Sequence, residues 1–190
     1  MRILVIIIGS VVGIAGIFSS PWFLMNIGVL LMPAPPLPVI RRGEFPFKLQ
    51  YELNGEFIVI EDTLVVEFAG VGRGLGSGSF LKWNKYLLSD SSQEDILIFK
   101  LHENHRIYHL TGGAQVHMGQ ISGRLFWYYD EIIVSRDFNN DGTLRHGRTI
   151  SSQFLYENYG IKIVNFEIAP PIENRFEYNW WSRLRNRVNF

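Results

Sequence analysis

Cysteine is absent from the chain. That excludes disulfides, thiolate catalysis, cysteine-ligated zinc and lipid anchoring through a lipobox cysteine. A charge excess is missing too: 18 Lys and Arg are balanced by 18 Asp and Glu. No global field therefore steers the protein towards nucleic acid or an acidic substrate. Between Ile3 and Ile40 there is no Asp, Glu, Lys, Arg or His. No internal repeat is visible, and no GxSxG nucleophile elbow occurs.

What is present suits one domain with accessories in 190 residues, of which 47% are hydrophobic and 19% charged. That is enough apolar material for a packed core, which excludes a disordered chain. Much of the apolar excess lies in the first forty residues. A helix crosses the hydrocarbon layer with about 20 apolar residues, and Ile3 to Met32 is long enough with tilt to spare. Pro21 is expected to kink this helix. Gly9, Gly13 and Gly16 are small residues that lipid-embedded helices accept, and Gly9 with Gly13 forms a GxxxG pair able to pack on another helix. A cleaved signal peptide is the alternative. It fits less well, because Arg2 is the only early basic residue, the apolar run overshoots an h-region, and Pro35 follows Ala34. The expected organisation is a transmembrane anchor over residues 1–32, a proline-rich spacer over 33–43, a β-rich domain over 44–176, and a basic aromatic tail over 177–190.

Within the domain, Lys48 to Leu53 runs into Asn54-Gly55, a strong hairpin signal because both residues accept positive φ. The return strand places Ile58, Ile60, Leu64, Val66 and Phe68 on one face. Setting Glu56, Glu61 and Glu67 together on the other requires a register slip, and a bulge near Asp62 is expected to supply it. Phe80 to Leu88, Ile96 to Leu101, His105 to Thr111 and Arg124 to Arg136 read as further strands, with turns at His102-Glu103-Asn104 and Asn140-Asp141-Gly142. Ser151 to Tyr159 reads as a helix, capped by Ser151 or Ser152 and ended by Gly160. Ile161 to Ile168 alternates as a last strand before Pro170-Pro171. The fold class is α+β, mainly β: an N-terminal transmembrane helix, then a compact antiparallel β-rich domain with one short helix. A half-open barrel or a helix-covered sheet is the expected form.

Several motifs invite a chemical reading. Gly70 to Gly78 (GVGRGLGSG) fits neither the GxGxxG nor the Walker spacing and precedes a strand, so it reads as a hairpin loop, with Arg73 its one anion-binding candidate. Asp137, Asn139, Asp141 and Gly142 match half of a calcium loop, but Arg148 occupies the position of the closing Glu, so the segment reads as a polar turn. His102, His105 and His109 resemble a metal cluster. A strand holding both His105 and His109 separates them by about 13 Å, too far for one ion. The neighbouring carboxylates Glu61-Asp62, Glu94-Asp95 and Asp130-Glu131 point to opposite strand faces and form no acid–base dyad. In the tail, Trp180, Trp181, Arg183, Arg185 and Arg187 suit either the lipid headgroup zone or packing on the domain. No catalytic, cofactor-binding or metal residue is assigned.

Two stretches, YELNGEFIVIEDTLVVEFAGVG with the later KWNKYL, and YGIKIVNFEIAPPIENRF, resemble a group of short uncharacterised membrane-anchored or lipid-anchored proteins of Gram-positive bacteria. The segment from Ile96 to Arg148 departs most from that group. The resemblance implies an anchored domain outside the membrane and no particular activity. The basic count at the ends of the span, Arg2 against Arg41, Arg42 and Lys48, taken alone places the domain in the cytosol. The free amino terminus and the distance of the later residues from the span bring that count near balance, and the resemblance inclines the reading to an extracytoplasmic domain. The leading expectation is a noncatalytic envelope module that binds a protein or envelope component. Its partners are membrane lipid through the N-terminal helix and a protein, with no nucleic acid and the oligomeric state open. The alternatives are an envelope enzyme whose carboxylates or histidines converge only in three dimensions, and an accessory subunit of a membrane complex.

Overall fold

The computed structural model describes residues 13, 16, 27–29, 32–74, 78–121 and 133–178. The expected anchor lies mostly outside the described residues. So do the first part of the 124–136 strand, Asp130-Glu131, and the tail beyond Tyr178. Among the described residues no helix is long and apolar enough to cross a membrane.

The elements in chain order are β1 (Leu37–Pro38), β2 (Arg42–Leu53), β3 (Glu56–Gly74), β4 (Gly78–Leu87), β5 (Ile96–His102), β6 (His105–His109), α1 (Ala114–His117), β7 (Ile133–Phe138), β8 (Leu144–Ile150), α2 (Ser152–Tyr159), β9 (Ile161–Ile168) and β10 (Phe176–Glu177). Contacts divide the chain into two units. One comprises residues 38–69 and 83–176; the other comprises 1–37, 70–82 and 177–190.

The domain is mainly β and antiparallel. Its long strands form two four-stranded sheets, ordered β4-β3-β2-β9 and β5-β6-β7-β8. α2 packs against β9 of the first sheet. Local sequence fixes each strand, but which strands pair is decided by burial shared between segments far apart in the chain. β2 shows the two-residue period of a half-buried strand: Phe45, Phe47, Leu49 and Tyr51 are buried, while Glu44 and Pro46 are exposed. Each such side chain removed from water contributes about 1.5–3 kcal/mol. The Tyr51 hydroxyl donates to the Ile98 carbonyl at 3.1 Å, tying β2 to β5 of the other sheet. The second sheet presents Ile96, Ile98, Ile107, Ile133 and Ile150 to the same core, and α2 adds fully buried Leu155.

The turn at Asn54-Gly55 forms as expected, with φ of 52° and 88°. From it β2 and β3 pair in unbroken register, Leu53 opposite Glu56 through to Arg42 opposite Glu67. The bulge expected near Asp62 is absent, and Asp62 simply faces Phe47. Ile58, Ile60, Leu64 and Val66 share one face without any slip, and Glu56 shares it too. Glu56 sits beside the turn, where the sheet end is open and its carboxylate is exposed. The irregularity in this sheet falls instead between Gln50 and Tyr51 on the β2–β9 side.

The Ser151–Gly160 helix also follows its sequence signals. Ser151 Oγ accepts from Phe154 N at 3.1 Å, and Gly160 closes the helix in the left-handed region at φ 63°. A Cβ on Gly160 would lie 2.3 Å from Asn54 Oδ1, so the close approach requires glycine as much as the φ does. The one-turn helix α1 is a second helix beyond the single one expected.

Candidate functional site

The inner face of the second sheet is apolar through Ile96, Ile107, Ile133 and Ile150, and then becomes polar towards the β5–β6 and β7–β8 turns. One row of directly opposed residues crosses all four strands there. His102 faces His105, His105 faces Asp137, and Asp137 faces His146. Opposed residues in antiparallel strands share a face with side chains about 4.5–5.5 Å apart. These four, with Asn104, Phe138 and Arg145, line a cleft of about 580 Å³.

Two register shifts shape this cleft. On β8, Asp137 faces His146 while Phe138 faces Leu144, leaving Arg145 as the extra residue. On β5, Lys100 faces Arg106 and His102 faces His105, leaving Leu101 extra. Neighbours on a regular strand point to opposite faces. The irregularity lets both Arg145 and His146 line one cleft, the re-aiming that bulges perform.

At the base of the row, His105 Nδ1 contacts Asp137 Oδ1, and Ser135 Oγ lies 3.1 Å from His105 Nε2. An ionised carboxylate only accepts, so Nδ1 carries the proton in this pair. Carboxylate, imidazole and hydroxyl follow one another in the order of an Asp-His-Ser relay. Ser135, however, is only 3% exposed and lies outside the cleft lining.

A second polar cluster is buried between β4, β5 and β7. Asp95, 4% exposed, receives Lys85 Nζ at 2.9 Å and Arg136 Nη2 at 2.8 Å. Lys85 also donates to Thr111 Oγ1 and the Gly112 carbonyl, each at 3.1 Å. Burial pushes the Asp95 carboxyl up, but Lys85 and Arg136 together outweigh it and leave it below the usual carboxylate range. His117 Nε2 donates to the Thr111 carbonyl, and burial holds this imidazole below its ordinary value. Every donor and acceptor of this cluster named here points at another member, which marks it as a structural network.

The residues singled out from sequence are distributed as follows. Asp137 and His105 meet in the cleft and His102 joins them, whereas His109 lies deep in the core against Phe166, ring centroids 4.3 Å apart. The half calcium loop is turned inward on itself. Asp141 Oδ1 accepts from Thr143 N and Oγ1, Asn139 Nδ2 donates to Thr143 Oγ1, and Asp137 is held by His105. The Thr143 hydrogen bonds also lower the Asp141 carboxyl. Arg148, in the position of the closing Glu, stacks over Phe154 at 5.2 Å. Among the described residues no group of three His, Asp or Glu is arranged to hold a metal ion. Glu61 pairs with Lys48 at 2.7 Å on the surface, and Asp95 of the Glu94-Asp95 pair is the buried anion above. Arg73 lines a separate cleft of about 460 Å³ with Ala34, Pro35, Leu37, Val71, Gly72 and Lys82. The described part of the glycine run is strand and not the expected loop: Gly70 to Gly74 end β3 and Gly78 begins β4, and residues 75–77 lie outside the described residues.

Sequence reasoning missed Ser135, Arg145 and His146. The signal that could have found part of the row was the turn itself: a two-residue Glu103-Asn104 connection sets His102 opposite His105. Comparison with protein families, curated proteins and solved structures finds no match to the chain.

Proposed function

We propose that the chain is a membrane-tethered, noncatalytic envelope module, and that the cleft of the second sheet is its binding site. Three features support the tether and its side. Residues 3–40 carry no charged residue or His and include the proline-rich run Met32 to Pro38, and the chain resembles anchored Gram-positive proteins. The observation that carries the binding reading is the row His102, His105, Asp137 and His146, set beside Arg145 by two register shifts. These side chains gather donors at one opening, while the one hydroxyl in the relay is packed beneath them.

The test uses the full chain in neutral-lipid nanodiscs. Purified cell-envelope polymer should co-sediment with it saturably, and the double variant Arg145→Gln, His146→Ala should lose the association. Equal association by wild type and variant contradicts the reading.

One observation favours a second reading, an envelope hydrolase: the Asp137–His105–Ser135 relay. A serine nucleophile must reach its substrate, with oxyanion donors about 3 Å from the reacting carbonyl. A fluorophosphonate probe separates the two readings. Stoichiometric labelling that disappears in Ser135→Ala establishes the hydrolase; an unlabelled chain supports the binding module.

A further inference from the structure

We propose that the cleft of the second sheet recognises a phosphate-type oxyanion carried by its ligand, with Arg145 and His146 as the donors; this rests on the binding reading above and names its ligand chemistry. Arg145 offers a planar fork of N–H donors that matches two oxygens of one anion. His146 stands next to it on β8, and its imidazole carries at least one N–H; His102 lies at the other end of the row on β5, three strand spacings or about 14 Å away, too far to share that anion. Both donors are exposed, so neither is consumed by the core.

The carboxylate in the lining is the obvious objection. Asp137 Oδ1 already accepts from His105 Nδ1, which ties that oxygen to β6. Two further acids lie at this end: Asp141 is turned onto Thr143, and Glu103 is in the β5–β6 turn outside the cleft lining. Arg106 lies over the Phe138 ring at 5.0 Å, with Lys100 opposite it on β5. Asn104 Nδ2 is spent on Asn140 Oδ1 at 3.0 Å, which fixes the turn that forms one wall. The cleft's outward-facing donors are thus cationic or imidazole groups. A volume of about 580 Å³ leaves room for a molecule much larger than one phosphate.

Phosphate of this kind has two envelope sources, an anionic lipid headgroup or a soluble phosphodiester polymer. The experiment uses the full chain in nanodiscs of neutral lipid, with histidine ring carbons labelled for NMR. Titration with sn-glycerol 3-phosphate should shift the His146 resonances saturably, with neutral glycerol as the blank. Arg145→Gln should weaken binding about tenfold or more. Lys82→Gln, which lies in the other cleft, should bind as wild type. A poly(glycerol phosphate) arm and an anionic-lipid nanodisc arm identify the source: the shifts appear with the polymer, with the lipid, or with both. Absence of any shift with every phosphate probe overturns the proposal, as does binding unchanged in Arg145→Gln. If phosphate fails while envelope polymer still co-sediments with wild type and not with the double variant, the ligand class falls and the binding site stands.

Discussion

Asp95→Asn isolates what the buried charge cluster contributes. Asp95 is 4% exposed and holds two cations at once, Lys85 at 2.9 Å and Arg136 at 2.8 Å. Asparagine keeps the volume and one acceptor oxygen but leaves both cations without a counter-charge. Removing one partner of a buried ion pair costs about 3–5 kcal/mol. The Lys85 and Arg136 side chains are 14% and 28% exposed, so both retain some access to water, and the expected loss is at the lower end, about 3 kcal/mol. The linkage has a definite sign. The folded Asp95 carboxyl sits below its unfolded value, so its contribution is present above about pH 4 and is lost as pH falls through the folded value. Asp95→Asn should therefore remove part of the acid limb of the stability curve as well as lower its plateau. Urea melts of the full chain in neutral detergent, followed by tryptophan fluorescence, measure both. Replacing the cluster with apolar residues, Lys85→Met with Asp95→Leu and Arg136→Met, should recover much of the loss. A change within about 0.5 kcal/mol for Asp95→Asn, the range of an ordinary surface substitution, would refute the reasoning.

Other outcomes follow from single contacts. Gly119→Ala should destabilise by about 1–3 kcal/mol, since φ is +66° and the new Cβ would lie 2.4 Å from the Ile172 carbonyl oxygen; the same melts check it. Ser151→Ala removes the cap on Phe154 N and should cost about 1 kcal/mol. His117 is held neutral by burial, so the unfolded chain takes up the proton first; stability should fall as pH drops below about 6.5, and less so in His117→Gln. Millimolar calcium should leave the melting temperature unchanged, whereas a ligand at 100 times its Kd would add about 2.7 kcal/mol; a rise that disappears in Asp141→Ala contradicts the polar-turn reading.

Local chemistry made part of this fold legible in the sequence. Asn54-Gly55 and the Ser151–Gly160 helix are set by backbone preferences of neighbouring residues, and both form where those residues stand. The error at Asp62 came from treating Glu56 as a face marker. A carboxylate at a strand's end needs no wet face, because the end itself is wet. The two-sheet division was not legible, since it depends on packing among Tyr51, Ile98, Ile107 and Leu155, which are remote in sequence. The cleft was legible only in fragments. His105 and His109 were correctly kept apart by strand geometry, but the row runs across strands, from His102 to His146, and register shifts place its ends. A regular period of two puts Arg145 on the wrong face.

Fractionation tests the proposed tether directly. Membranes from cells expressing the full chain are washed with high salt and then carbonate, and the retained protein is sequenced from its N-terminus by mass spectrometry. The account predicts an intact N-terminus and retention through both washes. Release into the soluble fraction, or a mature chain starting beyond Pro33, would contradict it.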